Sequence, residues 1–154
     1  MTSTIHANFA AICLALSASV SASLPCPANS PAELQSKFDR AFKAKDRPAL
    51  VELFDWSGVD AETKKLWQDL LSSILTKEFI RSELQDAHAF ARDAREMESK
   101  GLFLNVLPVA SLYFERSFAP QVFDAVEKTS GHFAIGKRGS CFVLGVYSRN
   151  KRSS

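Results

Sequence analysis

The chain has 154 residues, 46% of them hydrophobic and 23% charged, with 19 basic and 17 acidic side chains for a net charge of +2. Such a balance excludes disordered, collagen-like and coiled-coil classes, and the length suits one domain with one core. Acids and bases are interspersed. The only basic cluster is the tail Arg149, Lys151 and Arg152, too short for a nucleic-acid footprint, so residues 149–154 read as a basic flexible tail and no nucleic-acid partner is expected.

Residues 9–20, "FAAICLALSASV", are apolar or small and carry no charge, and Val20, Ser21 and Ala22 fit a small-residue cleavage pattern. Residues 1–22 therefore read as a secretory signal peptide cut near Ala22, giving a secreted or periplasmic protein. The run falls short of the roughly 20 residues a spanning helix needs, so no stable membrane anchor is expected. Cleavage leaves Cys26 and Cys141 of the three cysteines. In an oxidising compartment a disulfide between them is the natural reading, set against a buried Cys141 and a loose Cys26 thiol. With no nearby CxxC or histidine pair, no metal site is expected.

After a linker over residues 23–30, a single α+β domain over 31–148 is expected. Ser30, Pro31 and Glu33 form a helix start, in which the Ser hydroxyl caps the third helical N–H and Pro31 sits where no donor is needed. Leu34, Phe38, Ala41 and Phe42 then recur at helical spacing, predicting an amphipathic helix to about Lys45. Asp46 and Pro48 open a short helix with Leu50, Leu53 and Phe54 inward. Next comes a compact corner: Gly58 permits a tight backbone turn, Trp56 fills the gap between helices, and Asp60 caps a third helix over residues 61–75. That helix carries a dense stripe of Leu66, Trp67, Leu70, Leu71, Ile74 and Leu75, expected to face inward. Asp55 beside this apolar corner has the setting of a general base, although an Asp next to a turn commonly binds backbone amides instead.

Residues 76–101 read as a strand followed by a helix ending at Gly101. His88 and Arg92 share one face of that helix, either as a site or as solvated surface. Residues 102–116, "LFLNVLPVASLYFER", read as one long strand, with Pro108 marking an edge, a bulge or a bend in a curved sheet. Residues 132–148 read as a hairpin whose turn contains Gly136 and Gly139. The intervening Lys137 and Arg138 give it the letters of a nucleic-acid-clamping GxxG loop, but that module places the loop between helices. His132 stands at the start of the hairpin, as a general acid or as a polar strand end.

No nucleophile elbow, Walker loop, dinucleotide fingerprint or HExxH occurs, and no cofactor is called for. The order of a capped amphipathic helix, "KAKDRPALVELFDWSGVD", a further helix, "NVLPVASLYF" and a closing "FAIGKRGSCFVL" resembles small exported proteins with the nuclear transport factor 2-like or cystatin-like cone. The matching pieces are Trp56-x-Gly58-Val59 and Asn105-x-x-Pro108-Val109. The resemblance implies N-terminal helices packed on a curved antiparallel sheet, whose mouth often holds a small ligand or an acid–base site. Three functions stay open. A binding or accessory module would have a small apolar pocket, with Phe38, Phe42, Trp56 and Leu66 as candidate ligand-binding residues. An isomerase- or dehydratase-like enzyme would bring together some of Asp55, His88, Tyr113 and His132. A dimerising module would expose an apolar patch over Phe103, Leu107 and Val109, making a homodimer or another protein its partner.

Overall fold

The computed structural model describes residues 26–117 and 128–149. The proposed leader and its cleavage point, the start of the linker and most of the basic tail lie outside them. Among the described residues four helices, α1 (Pro31–Lys43), α2 (Arg47–Glu52), α3 (Ala61–Leu75) and α4 (Ala87–Ser99), accompany six strands, β1 (Glu78–Gln85), β2 (Phe103–Leu104), β3 (Ala110–Ser117), β4 (Lys128–Arg138), β5 (Cys141–Leu144) and β6 (Tyr147–Ser148). The fold is α+β. Its main sheet is antiparallel in the order β1-β3-β4-β5 and strongly curled, while β2 and β6 pair as a separate short ribbon.

Each helix begins at the cap its sequence supplies. Ser30, Asp46, Asp60 and Asp86 accept from the backbone N–H of Glu33, Ala49, Thr63 and His88, respectively, satisfying first-turn donors that would otherwise lack partners. The first helix stops two residues earlier than its periodicity suggests, because Lys45 takes a positive φ of 55° and no longer continues the right-handed path. Leu34, Phe38, Ala41 and Phe42 all face the core. There Phe38 packs against Phe114 and Phe133 with ring centroids 5.4 and 6.0 Å apart.

The corner after α2 is fixed by the backbone as well as by packing. Gly58 has φ of 70°, the left-handed geometry expected of it. Asp55 N donates to Leu144 O, and Leu144 N donates to Leu53 O, so the corner is tied to β5. Trp56 is half-buried: its indole N–H donates to the Val51 carbonyl and its ring lies 5.8 Å from that of Phe54.

Three expectations are corrected. Residues 102–116 are not one strand, because the chain leaves the extended ladder over residues 105–109, where Pro108 lacks a donor, and only Ala110–Ser117 joins the main sheet. Asn105 stabilises this break by donating to the Asp55 carbonyl and accepting from Val146 N. The hairpin turn lies at Gly139 and Ser140 instead of spanning Gly136. Gly136 is inside β4, where a Cβ would collide with Val106, so its role is close packing. Finally, the α3 stripe is too wide for the core: Leu71, Ile74 and Leu75 are buried, but Leu66 is 70% exposed and Leu70 46%.

The two sheet faces carry separate clusters. Phe133, Ile135 and Leu144 join the main core beneath α1, α2 and α3. Ala134 and Val143, which alternate with them, point the other way and pack with Phe90 of α4 and Val106. Cys26 and Cys141 form a disulfide, and the adjacent Ala28 is fully buried in a bridge to Phe142. The start of the domain is thereby clamped to its last sheet strand.

Candidate functional site

Burial of α3 on one sheet face and α4 on the other leaves a cleft of about 970 Å³ between them. From α3 come Leu66, Trp67, Leu70 and Ile74, whose spacing of one, three and four residues places them on one helical flank. From α4 come Phe90, Asp93 and Met97, again three and four apart. The cleft reaches β4 at Gly131, His132 and Phe133, beside the stretch 128–133 that β5 does not extend far enough to pair with. Tyr147 closes one wall.

Specific contacts set that wall. The Trp67 indole N–H donates to the Tyr147 carbonyl at 2.9 Å, joining α3 to β6 across 80 residues of chain. The Tyr147 ring stacks on Phe90 with centroids 6.0 Å apart, joining the same strand to α4. A β6 residue therefore holds both helices at the cleft. The volume lies within the range of small-ligand sites, as does a lining dominated by apolar and aromatic side chains.

Three buried polar atoms of cleft-lining residues have no hydrogen-bond partner among the described residues: Arg116 Nη1, His132 Nδ1 and the Tyr147 hydroxyl. Such orphans are uncommon in folded proteins because each costs the hydration it gave up. Arg116 sits at the end of β3, its Nε donating to Thr129 Oγ1 at 3.0 Å and its guanidinium 5.6 Å from the Phe114 ring centre. Burial lowers its pKa. The Tyr147 hydroxyl is pushed well above its ordinary range, first by burial and then by the charges of Asp93 and Glu98, so it remains a protonated donor.

The four catalytic candidates do not share one place. Asp55 is buried in the α2–α3 corner, where Oδ1 accepts from Ser57 N at 3.0 Å and Ser57 Oγ at 2.6 Å, with Arg138 Nη1 3.5 Å away. That is the backbone-binding arrangement of a turn aspartate. The His88 side chain is 96% exposed near the start of α4. Tyr113 and His132 are brought together, ring centroids 5.0 Å apart, but the Tyr113 hydroxyl donates to Glu115, and only His132 lines the cleft.

Among the apolar candidates, Phe38 and Phe42 are fully buried in the aromatic core, Trp56 fills its corner, and Leu66 lines the cleft. Trp67, Phe90, Met97, Arg116 and Tyr147 were not singled out as site residues by the sequence reading. A signal for three of them was present: the α3 stripe, Trp67 included, carries more apolar surface than one core can hold, and Phe90 and Met97 lie on a common α4 flank. Arg116 and Tyr147 had no such signal, because their burial arises from chain segments distant in sequence.

Among the described residues, no group of three or more His, Cys, Asp or Glu is placed to hold a metal ion. No helix among them is long and apolar enough to cross a membrane. No protein-family model matches the chain, and no curated protein or solved structure matches it either.

Proposed function

We propose that this chain is an exported binding or accessory domain of the nuclear transport factor 2-like or cystatin-like cone type, which takes a small, largely apolar ligand in the cleft between α3 and α4. The observation that carries this reading is the pairing of exposed Leu66 and Leu70 with the half-buried Trp67 ring on the wall of one roomy cleft. Apolar surface left in water on one helix flank marks a place where something binds. Export is supported by the Cys26–Cys141 disulfide, a bond that persists in oxidising compartments. The scatter of Asp55, His88 and Tyr113 away from the cleft favours binding over acid–base catalysis.

Native mass spectrometry of the secreted protein tests the reading directly. A co-purified small molecule is expected, and its release should follow filling of the cleft by Leu70→Trp. A chain that emerges ligand-free and leaves Trp67 emission unchanged across a panel of apolar probes overturns it.

A second reading rests on Leu107 and Val109, 70% and 46% exposed in the irregular stretch before β3. Together they support a protein-contact surface, and a concentration-dependent dimer lost in Leu107→Ser would be its sign.

A further inference from the structure

Resting on the ligand-binding reading above, we propose that the cleft selects a monoanionic amphiphile, an apolar body bearing one carboxylate, and that Arg116 receives the carboxylate. Two features of the cleft lead there. Its walls are apolar and aromatic on both helices, as an acyl chain or fused-ring body requires. Its buried cation is incomplete: Arg116 Nε is taken by Thr129 Oγ1, while Nη1 is out of water without a partner among the described residues.

A guanidinium is almost never neutral, so it cannot escape the cost of burial by releasing its proton. An anionic oxygen arriving with a ligand supplies what is missing. The planar fork of Arg matches a carboxylate, and a charge-assisted hydrogen bond is about twice as strong as a neutral one. A neutral carbonyl would pair Nη1 only with a weaker, uncharged bond, and a cationic ligand would add like charge.

The number of charges follows from the other ionisable groups lining the cleft. Asp60, Glu62, Asp69 and Asp93 oppose an approaching dianion, whereas Arg149 and Lys65 provide only partial compensation. One negative charge with a long apolar body fits this balance. The Tyr147 hydroxyl, also buried without a partner, is a further donor within the same cleft.

Decanoate and decanamide, which share a body and differ in charge at the head, separate the two ideas. Each is titrated into the disulfide-intact Trp56→Phe protein, in which Trp67 is the sole remaining tryptophan. Decanoate should bind at least about tenfold more tightly than decanamide, the ratio expected for one charge-assisted hydrogen bond. Arg116→Gln should bring decanoate down to the decanamide affinity and leave decanamide unchanged, with Arg116→Lys in between. Equal binding of the two probes to the protein with Arg116 intact overturns the carboxylate assignment and leaves the apolar cleft standing. No response to either probe overturns both. If Arg116→Gln fails to fold, Arg116→Lys takes its place, since it keeps the charge and gives up the planar fork: an unchanged decanoate-to-decanamide ratio in that variant overturns the assignment to Arg116.

Discussion

The indole nitrogen of Trp67 hydrogen-bonds the main-chain carbonyl of Tyr147, and through this bond the α3 flank that bears exposed Leu66 and Leu70 is anchored to the last described strand. Trp67 therefore has two functions on two faces of one ring, packing at 6.3 Å from the Phe133 centroid and lining the cleft. Trp67→Phe keeps most of the packing and leaves the Tyr147 carbonyl without its donor, a loss of about 1 kcal/mol. Trp67→Ala removes the packing as well and should cost about 2 to 3 kcal/mol, below the full-core value because the ring is half-buried. Urea unfolding followed by circular dichroism measures both, and equal costs would mean that the ring contributes no packing.

The disulfide predicts a large and separable effect. Cys26 and Cys141 are 115 residues apart, so the bond restricts nearly the whole domain in its unfolded state. Chain-entropy reasoning assigns a closure of that length about 4 to 5 kcal/mol. The double variant Cys26→Ser, Cys141→Ser should lower the urea midpoint accordingly, and reduction of the parent protein should reproduce the shift. A midpoint unmoved by either treatment would show that Ala28, through its bridge to Phe142, holds the first strand segment without covalent help.

Local signals in the sequence were readable wherever one residue type performs one local task. The caps at Ser30, Asp46 and Asp60, the glycine turn at Gly58 and the 61–75 helix are of this kind, since a cap or a left-handed turn is settled within four residues. Reading failed where distant segments decide. Gly136 resembles a turn residue until Val106 is seen lying against it, and the break at residues 105–109 depends on Asn105 finding partners at Asp55 and Val146. The cleft was the least legible feature, because it is space left between helices on opposite sheet faces. Its sequence traces were the common α4 flank of Phe90 and Met97 and the surplus width of the α3 stripe, whose Leu66 and Leu70 have no core to enter.

Asp55 distinguishes a structural acid from a catalytic one. Its carboxylate binds the Ser57 amide and hydroxyl and faces Arg138, all within the corner and outside the cleft lining. Asp55→Ala should destabilise by about 1 to 3 kcal/mol, the penalty of leaving corner donors unpaired, and Asp55→Asn by less because one acceptor oxygen remains. Decanoate affinity at a temperature where both variants are folded should match the parent. A specific loss of ligand binding in Asp55→Asn would instead place this acid at the site.

Two carboxylates tie stability to pH on the acid side. Glu115 is held at about 2, first by its hydrogen bond from Arg81 and then by that from Tyr113. Glu33 is likewise held at about 2, by Lys37 and then by the Asn29 amide at the α1 cap. Both start from 4.5 when unperturbed, so their folded pKa lies below the unfolded one. Their stabilisation is thus fully present above pH 4.5 and is lost as pH falls toward 2. Carbon-detected NMR titration should find both midpoints well below 4.5. The Glu33→Gln, Glu115→Gln variant should show a flatter decline of stability across the same interval.

Three glycines separate conformational strain from steric exclusion. Gly58 has φ of 70° but open space where a Cβ would project, so Gly58→Ala costs only the left-handed backbone, about 1 to 2 kcal/mol, and Gly58→Val more because a branched side chain resists that geometry. Gly136 and Gly145 are the reverse case, since a Cβ at either position would overlap the Val106 side chain. Substituting Ala there forces Val106 off its packing against Ala134 and Val143 in the smaller cluster, which overpacking ordinarily makes costly by about 1 to 3 kcal/mol or more. The discriminating measurement is rescue: Val106→Ala removes the Cγ2 atom that a Cβ at position 145 would meet, so it should recover part of the loss in Gly145→Ala and none of that in Gly58→Ala. Recovery in both would mean that strain at the corner is transmitted to the second sheet face, whereas recovery in neither would place the Gly145 penalty in the Leu104 side chain, which a Cβ there would also meet.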